Sequence, residues 1–190
     1  MSGIEIDGGY SGIRFSACHF IPRHEKCSRL HGHSYIIHLK LEGDIGENGM
    51  VMDFVVLKKK LREMVDSMDH AVLLPAKSDE VHIDIDGEDV HVECNGKRYM
   101  FPKMDVRMLP VPTTTAEEMA KMMAEKLASE IEFPPNVRKL AVGLDEERGQ
   151  TAWYEKEFRW RRKRSCSSPA GSIRPRRWRR PLRTAASAPP

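Results

Sequence analysis

Apolar positions along the chain follow two rhythms. Residues 11–20 (SGIRFSACHF) and 34–43 (SYIIHLKLEG) are rich in β-branched and aromatic side chains with partial alternation, the pattern of strands buried on one face. The stretch between them, IPRHEKCSRLHG, is polar and reads as a loop carrying Cys27. From Asp53 to Met68 the period lengthens. Phe54, Leu57, Leu61, Met64 and Val65 share one helical face with lysines opposite, and Asp53 is placed to cap the helix.

Residues 80–101 return to alternation. VHIDI, VHVEC and RYMF are separated by DGED and NGK, whose Asp-Gly and Asn-Gly pairs signal tight turns and predict an antiparallel meander. A second helix is predicted over Thr115–Ile131. It opens with a hydroxyl cap and first-turn acids, and Met119, Met122, Met123 and Leu127 form a stripe read as core. VRKLAVGL and TAWYEKEF then give two closing strands joined by DEERGQ. The order is β-β-α-(β insert)-α-β-β, an α+β class whose sheet needs helices on one face.

Charge divides the chain of 190 residues in two. Of its 31 Lys and Arg residues, eleven lie from Arg159 onward with no acid among them, leaving 20 against 28 acids before that point and a net charge near −8. We therefore expect a domain over residues 1–158, with a meander insert at 78–106, and a basic tail at 159–190. The tail is Arg, Pro, Ser and Ala with few aliphatics, a composition that predicts disorder. Trp160 and Trp178 stand within its Arg clusters, where they can stack on nucleic-acid bases; the plainer reading is a solvated appendage. Cys18, Cys27, Cys94 and Cys166 show no disulfide framework, and neither a membrane-spanning run nor a signal peptide is apparent, so a cytoplasmic protein is expected.

Candidate chemistry centres on CSRLHGH. His31 and His33 flank Gly32, so on a strand both imidazoles point to one face, and His19, ending the preceding strand, can lie across from them. Three neutral imidazoles with one open position suit catalytic zinc, although half-buried strand histidines with backbone partners would also explain the pattern. Cys27 reads either as a reactive thiol beside the metal or as a fourth ligand closing a structural site. His24, His82 and His91 read as surface residues and His38 as a strand-face residue. In MDHAVL, ending the first helix, Asp69 and His70 can form an acid–base pair, but adjacent helical residues do not face each other, and a histidine favoured by the helix dipole is the simpler account.

Six segments, FSACHF, CSRLHGHSY, GMVMDFVVLKKKL, MDHAVL, PTTTAEEMA and the Glu146-x7-Tyr154 spacing, occur in one order over residues 12–158. Together they resemble the 6-pyruvoyl-tetrahydropterin synthase family, and within it the 6-carboxy-tetrahydropterin synthases of deazaguanine (queuosine or archaeosine) biosynthesis. The resemblance implies the tunnelling fold, an antiparallel sheet with two helices on one face, assembled into homo-oligomers, typically hexamers, with sites at subunit interfaces. It implies zinc on His19, His31 and His33, catalysis by Cys27, Asp69 and His70, and a pterin anchored by Glu146, with Thr115 and Glu117 lining its pocket. The implied reaction takes 7,8-dihydroneopterin triphosphate to 6-carboxy-5,6,7,8-tetrahydropterin, releasing acetaldehyde and triphosphate. The C-x3-H-G-H spacing followed by Ser34 resembles the carboxy branch; the pyruvoyl branch, which keeps the side chain, is the near alternative. A zinc-stabilised nucleic-acid-binding protein using the tail is the alternative from another class. The 78–106 meander and the Arg-rich tail depart from the compact members of the family.

Overall fold

The structure, a computed structural model, describes residues 1–147 and 149–160; the predicted basic tail lies outside them except for its first two residues. Ten strands and three α-helices follow in the order β1 (Ser2–Ile6), α1 (Gly8–Ser11), β2 (Arg14–His19), β3 (His31–Gly43), α2 (Phe54–Asp66), β4 (Ala71–Pro75), β5 (His82–Asp86), β6 (Asp89–Cys94), β7 (Lys97–Pro102), β8 (Val106–Leu109), α3 (Ala116–Glu130), β9 (Val137–Glu147) and β10 (Gln150–Glu157).

Seven strands form the main sheet, ordered β10-β9-β3-β2-β4-β8, with β1 pairing with β3 beside β2. The expectation of an antiparallel sheet holds for β1, β2, β3, β9 and β10, but β4 runs parallel to β2 and β8 parallel to β4, so the sheet is mixed. The stretch at 68–73, read from sequence as the end of a helix, is the source of this difference. Helix α2 stops at Asp66, and Ala71–Pro75 is a strand buried at every position. Parallel strands covered on both faces lose the polar alternation that marks an exposed strand, so AVLLP carries no period to read.

Both long helices lie on one face of the sheet. Asp53 caps α2 by accepting from the Val55 N–H at 2.8 Å, and Thr115 caps α3. Leu57 and Leu61 from α2, and Met119, Met123 and Leu127 from α3, are fully buried against Phe15, Tyr35, Ile37, Leu39, Leu140, Val142 and Leu144. Each fully buried aliphatic side chain of this kind contributes about 2 kcal/mol. Met119, Met123 and Leu127 of the predicted stripe are core, while Met122 is half-buried at its margin.

The other face of β2, β4 and β8 is covered by the meander. Its inward residues Val90, Val92 and Cys94 pack with Phe20, Val72, Leu74 and Val106 in a second apolar cluster. Asn95 and Gly96, at φ of 51° and 72°, form the two-residue turn between β6 and β7. No helix among the described residues is long and apolar enough to cross a membrane.

One close backbone approach locks β3 in place. A Cβ on Gly8 would stand 2.0 Å from the Ile37 carbonyl oxygen, whereas one on Gly3 would meet its nearest neighbour at 3.5 Å. Gly8→Ala is therefore expected to destabilise the fold by about 2 kcal/mol or more, and Gly3→Ala by less than about 1 kcal/mol, as measured by denaturant unfolding. Equal midpoints for the two variants would contradict this packing.

Candidate functional site

Strand pairing assembles the site. In the β2–β3 ladder His19 stands opposite His31, and Ala17 opposite His33. Period-2 alternation then sends His19, His31, His33 and Tyr35 to the helix-covered face. One ring nitrogen from each of the three histidines lies within 4.8 Å of the others. The ring centroids of His19 lie 4.6 Å from His31 and 5.2 Å from His33.

The outer nitrogens of two rings are held by backbone carbonyls. His19 Nδ1–H donates to the Thr114 carbonyl at 2.9 Å, and His31 Nδ1–H donates to that of Arg29 at 2.7 Å. A carbonyl only accepts, so each Nδ1 carries the proton and each Nε2 keeps its lone pair. Nε2 of both His19 and His33 is buried without a hydrogen-bond partner among the described residues. Burial lowers the His19 pKa from 6.5 to about 4, keeping the ring neutral at pH 7. Three imidazoles with convergent ring nitrogens fit a divalent cation with a preference for nitrogen ligands.

Glu146 closes the same face from β9. Leu140, Val142 and Leu144 point to the helices, so Glu146 does too, while Asp145 points to the opposite face and accepts from His38 Nε2 at 3.1 Å. Glu146 Oε1 is buried without a partner, 3.9 Å from His19 Nε2. Burial raises the Glu146 pKa, His33 opposes the shift, and Glu117 adds to it. Glu117 is itself exposed in the first turn of α3 but is thus close enough for its charge to reach the pocket. The Thr115 hydroxyl is engaged as the cap of α3, accepting from the Glu118 N–H at 3.5 Å. Thr113 and Thr115 line a cavity of about 360 Å³ shared with Ile21, Pro22 and Arg23.

Cys27 sits half-buried in the loop between β2 and β3. Its thiol is not part of the close nitrogen cluster, so the structure does not bring it in as a fourth ligand. His24, read as a surface residue, is exposed, yet its Nδ1 accepts from the Cys27 N–H at 3.0 Å.

Asp69 and His70 meet because the chain has left the helix. His70 has φ of 56°, and its Nδ1 lies 2.8 Å from Asp69 Oδ2. Asp69 Oδ1 accepts from the Ser16 N–H at 2.8 Å while the His70 N–H donates to the Ser16 carbonyl at 2.7 Å, tying the pair to β2 just before β4 joins it. The Ser16 bond, followed by His70, lowers the Asp69 pKa. The dyad lies three residues along β2 from His19, about 10 Å at the rise of a strand. The His70 side chain is 83% exposed, so within one chain the pair is open to solvent and apart from the imidazole cluster.

Two participants escaped the sequence reading. Thr114, buried beside the cap, orients His19 through its carbonyl and donates its own hydroxyl to the Phe20 carbonyl at 3.1 Å; three consecutive threonines gave no sign of which one does this. Tyr35 is fully buried with an unpartnered hydroxyl, its ring centroid 5.4 Å from His33. Burial first, then the Glu146 carboxylate, raise the phenol above its ordinary value. Its place in HGHSY, two residues after His33, was the available signal. A larger groove of about 1020 Å³ lies elsewhere, between α3 and β8, and none of the three histidines lines it.

Comparison with known proteins agrees with this architecture. Residues 10–157 match the family model described as 6-pyruvoyl tetrahydropterin synthase. A Methanocaldococcus jannaschii chain, provisionally named a 6-carboxy-5,6,7,8-tetrahydropterin synthase, is 34% identical over 156 residues, 80% of this chain and 96% of that one. The Haemophilus influenzae 6-carboxy-5,6,7,8-tetrahydropterin synthase is 30% identical over 120 residues, 60% of this chain and 76% of that one. Among solved structures, 6-pyruvoyl tetrahydropterin synthase from Plasmodium vivax superposes with a TM-score of 0.77 at 28% identity, covering 83% of this chain and 98% of that one. With sequence and fold in agreement over most of its length, the chain belongs to the 6-pyruvoyl tetrahydropterin synthase family.

Proposed function

We propose that this protein converts 7,8-dihydroneopterin triphosphate to 6-carboxy-5,6,7,8-tetrahydropterin, releasing acetaldehyde and triphosphate, as a cytoplasmic step of deazaguanine biosynthesis. The observation that carries this reading is the convergence of three imidazoles, with Nε2 of His19 and of His33 unpartnered among the described residues, beside the buried Oε1 of Glu146. The Cys27-x3-His31-Gly-His33-Ser34 spacing and the named relatives favour the carboxy branch.

His19, His31 and His33 would hold zinc, which when bound supplies a Lewis acid for the oxygens of the substrate side chain. Glu146 is assigned the pterin: a carboxylate accepts two parallel bonds from the ring N–H and the exocyclic amine. Thr115 and Glu117 are assigned to the wall of the same pocket. Cys27 and the Asp69–His70 dyad are assigned the proton transfers. In the dyad, Asp69 holds Nδ1 of His70, leaving Nε2 to exchange a proton, and the Ser16 bonds hold the carboxylate. The exposure of His70, the edges of β8 and β10, unpaired among the described residues, and the methionine-lined groove beside β8 support a homo-oligomer in which such a dyad is covered by a second copy; the hexameric order is what the family resemblance implies. The pyruvoyl reading, with the side chain retained, keeps support from the likeness to the Plasmodium vivax enzyme.

Zinc-loaded protein incubated with 7,8-dihydroneopterin triphosphate is expected to yield 6-carboxy-tetrahydropterin and acetaldehyde in equal amounts, followed by mass spectrometry and aldehyde trapping. A pterin retaining its three-carbon side chain would move the protein to the pyruvoyl branch. Cys27→Ala is expected to abolish turnover and keep stoichiometric zinc; loss of the metal would make Cys27 a ligand instead.

The metal-free protein has its own signature. His19 takes up a proton more readily unfolded than folded, so acid favours unfolding. As pH falls from 6.5 through about 4, stability is expected to drop by about 3 kcal/mol from this residue, being fully present above 6.5. Denaturant unfolding of His19→Gln against the unsubstituted apoprotein across that range measures it, and parallel pH slopes would refute the assignment.

A further inference from the structure

The loop that carries Cys27 is closed by short backbone bonds. Ile21 N–H donates to the Cys27 carbonyl at 2.8 Å, and Ser28 N–H to the His24 carbonyl at 3.0 Å, so the legs Ile21–Pro22 and Cys27–Ser28 run side by side. Residues Arg23 to Lys26 between them are exposed. A segment with so few buried contacts of its own opens readily unless something else holds it.

The β6–β7 turn of the meander supplies that hold. Asn95 Nδ2 donates to the Pro22 carbonyl at 2.7 Å on one leg. Lys97 Nζ donates to the Ser28 carbonyl at 2.7 Å on the other, and reaches Ser28 Oγ at 3.5 Å. Both bonds are partly buried, and the lysine bond is charge-assisted. Nearby, Tyr99 stacks on Phe20 at 5.7 Å where the loop leaves β2, and Arg23 Nε meets Glu80 Oε1 at 2.6 Å. Attachment of the meander to the sheet does not require the Asn95 and Lys97 contacts, because Val90, Val92 and Cys94 already bury themselves against Phe20, Val72 and Leu74. These two polar side chains are directed instead at carbonyls on either side of Cys27.

We propose that the Asn95–Lys97 turn is a clamp that fixes the Cys27 thiol, with Asn95 and Lys97 as positioning residues for the reaction. The proposal rests on the reading of Cys27 as the reacting thiol. It gives the meander a role in the site: one two-residue turn, with a side chain before and after its glycine, sets the separation of both legs of a loop more than 65 residues upstream, the sequence distance being 69 for Lys97–Ser28 and 73 for Asn95–Pro22.

Full-length, zinc-loaded Asn95→Gly and Lys97→Met test it, with Lys97→Arg as the variant that keeps a charged donor. Glycine suits the positive φ at position 95, so that substitution removes the donor without backbone strain. Without substrate, amide hydrogen exchange across residues 21–29 is expected to quicken about tenfold in the first two variants, with exchange in the main sheet unchanged. Iodoacetamide labelling of Cys27, resolved by peptide mass, is expected to rise severalfold. With substrate, kcat is expected to fall about tenfold while KM stays within about twofold, and Lys97→Arg to recover most of the loss. Unchanged exchange and labelling in residues 21–29, or faster exchange spread evenly over the whole protein, would overturn the clamp. If the unsubstituted protein does not turn over 7,8-dihydroneopterin triphosphate, the functional reading fails by itself, and the exchange and labelling results still decide the clamp.

Discussion

The register of β2 against β3 is the constraint on which the site depends. His19 opposite His31 and Ala17 opposite His33 place three imidazoles on one face. A slip of one residue would send one strand's histidines to the far face and expose Phe15 or Tyr35 as it did so. Core packing therefore enforces the arrangement of the imidazoles: Phe15 stacks on Tyr35 at 4.8 Å in the same ladder, and both are buried against the helices. Gly32 belongs to this fit, since a Cβ there would stand 3.1 Å from the Ala17 carbonyl oxygen.

Polar groups around the cluster are arranged at the expense of local hydrogen bonding. Nε2 of His19 and of His33, Oε1 of Glu146 and the Tyr35 hydroxyl are all buried without partners among the described residues. Unpaired buried polar atoms each cost on the order of 1–3 kcal/mol, and four in one pocket are understandable where a cation and a polar ligand would satisfy them. The Thr114 and Arg29 carbonyls have the complementary role, fixing which nitrogen of His19 and His31 remains free. Orientation thus comes from the backbone of two connecting segments, and the free nitrogens from strand alternation.

The two faces of the sheet divide the labour. Helices α2 and α3 bury the face bearing the imidazoles and Glu146, while the meander covers the face bearing Phe20 and Val72. The loop carrying Cys27 leaves the sheet between these layers and is held by the meander turn. The Asp69–His70 pair is bonded to Ser16 on the side of β2 that faces β4, just before β4 begins, and His70 takes a left-handed backbone conformation there.

Short-range physics made much of this legible. The 3.6-residue period and the Asp53 and Thr115 caps predict α2 and α3 within a residue or two, and Asn95-Gly96 marks the turn it forms. The common face of His31 and His33, two apart on a strand, followed from alternation; that His19 could lie opposite was an expectation, which the register of β2 against β3 fulfils. What escaped depends on contacts between distant segments. The parallel strand β4 is covered on both faces and shows no alternation, and β8 is a four-residue edge strand too short to show a period. The bond from His19 to Thr114 spans 95 residues, and the ties from the meander to the Cys27 loop span about 70. By itself, the sequence determined the two long helices, the meander turns and the shared face of His31 and His33, because those follow from the backbone period and from turn chemistry. Only the tertiary structure decided which carbonyls orient the rings, that Glu146 joins them, and what holds Cys27, because those depend on how the sheet closes.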